Sequence, residues 1–287
     1  MIPIYIKTFN RPYELLTTLD SLLASDIGDS KIHIIDDQST GIQKQILENT
    51  QKENNIETLF PPAGLDTILG YSPPVISYVP AFPENVTVEI NSEKTGIISS
   101  HFMAIKKGFE TYPESEYIIF IEDDCVFSPD WKNRFHEAYE NIKETGEKIG
   151  FVSAYDRLAR PGKLGKLPPK KESVSGFRQV PVITADTKWR YVTNITSGGV
   201  CYLIARDFYN DSKCLPQMIN VMPEMNGGDA LLQIMAFDLG YSCWQLECSL
   251  CQHIGIMTTN SPLHLGVTNR ISTSFDGHIA KGSILRT

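Results

Sequence analysis

The sequence predicts an α/β fold with a mixed, mostly parallel central sheet flanked by helices, on three observations. Short runs rich in strand formers, at 2–6, 31–35 and 117–121, each stop at a polar turn. Segments with helical apolar spacing follow them, and strand-helix alternation of this kind builds parallel sheets. The length of 287 residues and 41% hydrophobic content suit one α/β domain with elaborate loops. Ligands in such sheets collect at the carboxyl ends of strands, so Thr8 to Arg11, Asp36 with Asp37, and Glu122 to Asp124 are expected to share one crevice.

In chain order, the first strand closes at Asn10, which can cap, and Pro12 suits the first turn of a helix carrying Leu15, Leu16, Leu19, Leu22 and Leu23 on one face. The second ends in Asp36-Asp37-Gln38-Ser39-Thr40, with Thr40 and Gln43 reading as a capping box for a helix reaching Glu53. Residues 60–92 contain Pro61, Pro62, Pro73, Pro74, Pro80 and Pro83 and read as an excursion of ordered loops, not a further βα unit. Lys94-Thr95-Gly96 then leads into a helix with Ile98, Phe102, Ile105 and Phe109 on one face. Spacing leaves the adjoining His101 open between a ligand-facing side chain and a buried, hydrogen-bonded one.

The run YIIFI is too apolar for an exposed edge and delivers Glu122, Asp123 and Asp124 to a rim. Adjacent carboxylates repel one another and resist desolvation, so a divalent metal is the economical explanation for three together. Ser128, Pro129 and Asp130 open a helix with Trp131, Phe135, Ala138 and Ile142 on one face. After a strand at 149–155, residues 157–178 hold seven cations against one acid, Glu172, in a chain of net charge −8. This surface loop is either merely solvated or a contact for an anionic acceptor. Gly198 and Gly199 precede a strand at 200–204, where paired glycines allow close approach to a ligand or simply a bend. Asp229 opens a helix with Leu231, Leu232, Met235 and Leu239, as a plain cap or as a base held by first-turn amides. A strand at 242–246 leads to Cys251-Gln252-His253-Ile254-Gly255 and a polar, Gly-rich tail that could serve as a lid.

The net charge of −8 argues against a protein that coats nucleic acid or a membrane surface, which needs a broad positive field. Without a basic leader or a long apolar run, the expected location is the cytoplasm, bacterial or, for a viral protein, that of the host. The six cysteines suit reduced core thiols better than disulfides, and Cys248-x-x-Cys251 with His253 lacks the second pair that structural zinc requires.

The ordered set TFNR, IIDDQST, a Gly-led helix, FIEDD, SGG, GGD-A-L-L and QHIG resembles the GT-A glycosyltransferases over most of the chain. FIEDDCVFSPDW followed by GFVSAYD looks most like the N-acetylglucosaminyltransferase I group, and TFNRP with IIDDQST like the broader family 2 enzymes. The resemblance implies a Rossmann-like, single catalytic domain over 1–287: a nucleotide-sugar-binding half at 1–125, an acceptor-binding half at 126–257 and the tail at 258–287. It implies a UDP-linked sugar donor held by Thr8, Asn10, Arg11, Asp36 or Asp37, Lys94, His101, Glu122, Asp123, Gly198 and Gly199. It makes the acidic turn a DXD-like motif with Asp124 the metal ligand, His253 a second group on the metal or diphosphate, and Asp229 the base. The membrane anchor and stem of the Golgi enzymes have no counterpart in the sequence.

The chemistry fits those roles. A nucleoside diphosphate leaving group needs its developing charge neutralised, which Mn²⁺ or Mg²⁺ on hard oxygen ligands supplies, and an imidazole tilts the choice toward Mn²⁺. A carboxylate on the opposite side can take the acceptor's hydroxyl proton, giving inversion. The expected activity is transfer of a sugar to a hydroxyl of a saccharide or glycoconjugate. Two alternatives are a phage-type enzyme acting on hydroxymethylated DNA bases through the 157–178 loop, and a non-catalytic nucleotide-sugar-binding module. A nucleotidyltransferase would want a Gly-rich basic phosphate loop near the amino terminus, which TFNRP is not.

Overall fold

The computed structural model describes residues 1–155, 173–174, 177–179, 200–212, 228–246, 249–255, 275 and 279–280. Its elements begin β1 (Pro3–Thr8), α1 (Pro12–Leu23), β2 (Lys31–Asp36), α2 (Gly41–Glu48), β3 (Asn54–Leu59), α3 (Leu65–Leu69), β4 (Ile76–Val79), β5 (Val86–Ile90), α4 (Ile97–Thr111) and β6 (Tyr117–Glu122). They continue β7 (Cys125–Phe127), α5 (Trp131–Lys143), β8 (Ile149–Ser153), β9 (Ser173–Val174), β10 (Phe177–Gln179), β11 (Cys201–Ala205), α6 (Arg206–Asp211), α7 (Gly228–Asp238), β12 (Ser242–Leu246) and β13 (Cys251–His253). The main sheet has nine strands in the order β5-β2-β1-β6-β11-β8-β12-β10-β9. Only β11 and β10 run against the rest, so the sheet is mixed and mostly parallel, as the strand-helix alternation predicts.

Alternate side chains of the central strands enter two cores. Ile4, Ile6, Ile119 and Ile121 meet Leu15, Leu16 and Leu19 of α1 and Trp131 and Phe135 of α5 on one face. Tyr5, Ile118 and Phe120 meet Phe102, Ile105 and Phe109 of α4 and Leu231, Leu232 and Met235 of α7 on the other. The parallel register sets Thr8 against Asp36 and Lys7 against Glu122, so the polar ends of β1, β2 and β6 lie side by side. A separate two-stranded sheet pairs β13 antiparallel with β7, Cys125 opposite His253.

Several local expectations need correction. The 60–92 excursion contains regular structure: β4 pairs with β3, and β5 is the edge strand beside β2, because VTVEI alternates inward and outward once clear of Pro83. Helix α2 stops at Glu48 and has no side-chain cap at Thr40, since Gln43 turns toward β1 and β2 instead. Asn10 does not cap α1; its side chain accepts from the Thr40 amide at 2.9 Å. Helix α5 starts at Trp131, again without a side-chain cap, and Leu239 lies exposed beyond the end of α7. Arg178, assigned to a loop, belongs to β10 opposite Gln245. Most of the 157–178 basic segment, Gly198 and Gly199 lie outside the described residues. Of the tail, Ala280 donates to the Phe127 carbonyl at 2.8 Å, so at that point the chain packs on β7. Cys125, Cys201, Cys243 and Cys251 are buried free thiols, and among the described residues no helix is long and apolar enough to cross a membrane.

Candidate active site

The acidic turn after β6 is wired into the end of β1 through Asp123. Its Oδ2 accepts from the Thr8 hydroxyl at 2.6 Å and from the Phe9 amide at 3.4 Å, while its carbonyl accepts from Thr18 of α1 at 2.8 Å. These bonds commit Asp123 to holding the turn. Asp124 is almost fully buried. Its Oδ2 receives the Arg11 guanidinium at 2.5 Å and stands 3.0 Å from His253 Nε2. The β7–β13 register brings His253 there, and the Ile254 amide extends the pairing by donating to the Asp124 carbonyl at 2.7 Å. A Cβ at Gly255 would lie 1.9 Å from Asp124 Oδ2, so the glycine of the HIG sequence is what lets this carboxylate fit.

Glu122, Asp124 and His253 each offer one ligand atom, all within 4.8 Å of one another. Two carboxylates and an imidazole form a donor set that suits Mn²⁺. Two ligands each about 2.1 Å from an octahedral ion and at right angles stand about 3 Å apart, and the Asp124–His253 separation is 3.0 Å. The residues present therefore fit a divalent cation.

Electrostatics point the same way. Burial pushes the Glu122 carboxyl up to about 8, with Asp124 and Asp229 adding to the shift and Lys7 and Arg11 opposing it. Burial also raises Asp123, against the pull of Arg11, and raises Glu14 of α1, to which Asp123 and Asp124 add. For Arg11, the effect of burial is outweighed by Asp124, Asp123 and Glu122, which hold the guanidinium firmly charged. Burial lowers Lys7, while Glu122, Asp123 and Asp37 work to keep its charge. Asp124 thus adds to the shifts of Glu14, Glu122 and Asp123, with Lys7 and Arg11 supplying part of the compensation.

The neighbouring loops are cross-braced. Asp36 is fully buried, accepting from the Ser39 amide at 2.7 Å and Gln43 at 2.9 Å, and Gln43 also donates to Thr8 at 2.8 Å. Asp37 gathers the loop before α4, accepting from the Thr95 amide (2.8 Å) and hydroxyl (2.7 Å), the Gly96 amide (2.9 Å) and Asn91 (3.2 Å). Burial raises its carboxyl, but these bonds outweigh burial and leave it below the usual range. Asp36 thus braces its own turn, and Asp37 holds the loop that follows Lys94. Lys94 Nζ sits 4.1 Å from the Phe9 ring centroid. Asn10 (φ 51°) and Gln38 (φ 64°) both take the left-handed conformation unusual for non-glycine residues, one at each strand end flanking the crevice.

His101 lies in the second core, under the start of α7. It packs against Phe120 at 4.2 Å between centroids and hydrogen-bonds the Tyr202 hydroxyl. A Cβ at Gly228 would approach its ring to 2.8 Å, so Gly228 lets α7 seat directly on it. Burial holds His101 well below the ordinary histidine range, so it is neutral, and it positions the helix whose first turn carries half-buried Asp229. Lys7, Glu14, Gln43 and Gly255 were not singled out as site residues from sequence. Of these, Lys7 had a readable signal, a lone cation inside the apolar run IYIKT.

No protein-family model matches the chain, and no curated protein does. Solved structures do. S. aureus TarS 1-349 in complex with UDP-GlcNAc superposes with a TM-score of 0.50 at 15% identity, covering 92% of this chain and 60% of that one. S. aureus TarS gives a TM-score of 0.49 at 15% identity, covering 87% and 36%. The mannosyltransferase PcManGT from Pyrobaculum calidifontis, in complex with GDP-Man and Mn²⁺, gives 0.42 at 10% identity, covering 84% and 53%. This chain spans less than two thirds of the length of these structures. The sheet order and the superposition on TarS 1-349 show a GT-A-like fold.

Proposed function

We propose that the protein is an inverting, metal-dependent glycosyltransferase that moves a sugar from a UDP-linked donor to a hydroxyl of a saccharide or glycoconjugate. The observation that carries the reading is the convergence of Glu122, Asp124 and His253 at the carboxyl end of β6, with Asp229 acting electrostatically on the same Glu122. Residues 1–125 would form the donor half, 126–257 the acceptor half, and 258–287 a closing tail. Asp124, His253 and Glu122 would hold Mn²⁺ or Mg²⁺. The bound cation would neutralise the diphosphate as the bond from sugar C1 to the phosphate oxygen breaks.

The remaining roles follow from placement. Asp37 and Asp36 set the loops around the nucleotide, and Lys94 and Arg11 supply cations to the donor side. His101 acts through α7 and is a positioning residue. Asp229, in the first turn of α7, would accept the acceptor's hydroxyl proton as that oxygen bonds to C1, opposite the departing diphosphate. Configuration at C1 inverts, and no covalent sugar–enzyme bond forms.

Incubation with a panel of nucleotide sugars, with and without Mn²⁺, tests the reading through slow donor hydrolysis. Mn²⁺-dependent release of UDP from one of the UDP-sugars is expected. Donor binding without release under any condition would favour a binding module, and no binding at all would remove the nucleotide reading.

A further inference from the structure

We propose that Arg11 is the resident counter-ion of the metal site. A divalent cation enters by taking Asp124 Oδ2 from the Arg11 guanidinium, and the released guanidinium turns to the donor's diphosphate. The inference rests on the metal and nucleotide reading above and adds to it a rule: metal and nucleotide strengthen each other's binding through one arginine.

Three observations carry it. First, the same oxygen is used twice. Asp124 Oδ2 takes Arg11 at 2.5 Å and lies 3.0 Å from His253 Nε2, so a cation seated between this oxygen and His253 shares the oxygen with a positive guanidinium. Two cations on one carboxylate oxygen repel strongly in a crevice this buried, and one has to leave. Second, the arginine is anchored by its backbone. Arg11 N donates to Gln43 Oε1 at 2.5 Å, and Arg11 stands at the junction of β1 and α1, so the side chain can swing while its base stays fixed. Third, the swing is short and remains compensated. Arg11 also touches Asp123 Oδ1 at 3.2 Å, and Asp123 is independently held by Thr8. A guanidinium displaced from Asp124 keeps this partner and presents its other N–H groups to the crevice, where they suit a phosphate better than a lysine would.

Calorimetric titration of Mn²⁺ into the wild-type protein and Arg11→Gln, each with and without UDP, tests this, with Arg11→Met as a second uncharged variant should the first fold poorly. Without nucleotide, the uncharged variants should bind Mn²⁺ about tenfold or more tightly than wild type, because the competing charge is gone. UDP should tighten Mn²⁺ binding in the wild type by a clearly larger factor than in either variant. Equal or weaker Mn²⁺ binding by the uncharged variants, or an equal effect of UDP on all forms, would overturn the inference while leaving the metal site standing. Absence of Mn²⁺ binding in every form, even with UDP, would overturn both the inference and the functional reading.

Discussion

Asp229→Asn is expected to lower turnover by about 10²–10⁴-fold, the usual worth of a positioned general base, with donor affinity nearly unchanged. The amide keeps the shape of the carboxylate and the first-turn position on α7 but cannot take a proton. It also removes a negative charge that acts on Glu122, so the crevice should not be destabilised by the change. A rate assay at saturating donor and acceptor, paired with calorimetry of UDP binding, separates the two effects. Unchanged turnover would exclude Asp229 as the base, and equal loss in rate and donor affinity would make it a structural residue.

Asp124→Ala should abolish the dependence of nucleotide binding on Mn²⁺. Loss of an outer-shell partner commonly costs about 10–100-fold in metal affinity, and loss of a direct ligand should cost at least that. The substitution removes the oxygen shared by Arg11 and His253 and leaves in place the Arg11 contact with Asp123 Oδ1. UDP affinity measured with and without Mn²⁺ should therefore become the same in the variant and remain different in the wild type. A variant that still responds to Mn²⁺ would place the metal elsewhere.

The parts of this molecule that can be read from sequence are those where local pattern and tertiary environment agree. YIIFI followed by EDD is a buried strand with a charged exit whatever surrounds it, and β1, β2 and β6 with α1, α4 and α5 appear close to where their apolar spacing puts them. The fold's identity needed the ordered set of motifs, because alternation alone yields only a parallel sheet. What stayed illegible depends on partners distant in the chain. The capping pattern at Thr40 and Gln43 is sound local chemistry, yet Gln43 reaches Thr8, Asp36 and the Arg11 amide instead. β5 was hidden by the prolines before it, and its place beside β2 is a tertiary fact. His253 can be singled out as a histidine after a strand, but its meeting with Asp124 comes from the β7–β13 register, which spans more than a hundred residues. Gly255 and Gly228 are part of the QHIG and GGD motifs, but the reason for a glycine there appears only once the side chains they admit, Asp124 and His101, are in position.

The central claim is that Glu122, Asp124 and His253 form a divalent-cation site that takes the diphosphate of a nucleotide donor. Diffraction from crystals grown with Mn²⁺ and UDP, collected at the manganese absorption edge, tests it most directly. One anomalous peak is expected, bounded by Asp124, His253 and Glu122, with UDP phosphate oxygens beside it and the Arg11 guanidinium moved off Asp124. Bound UDP with no manganese at these residues, and Arg11 still on Asp124, would contradict it.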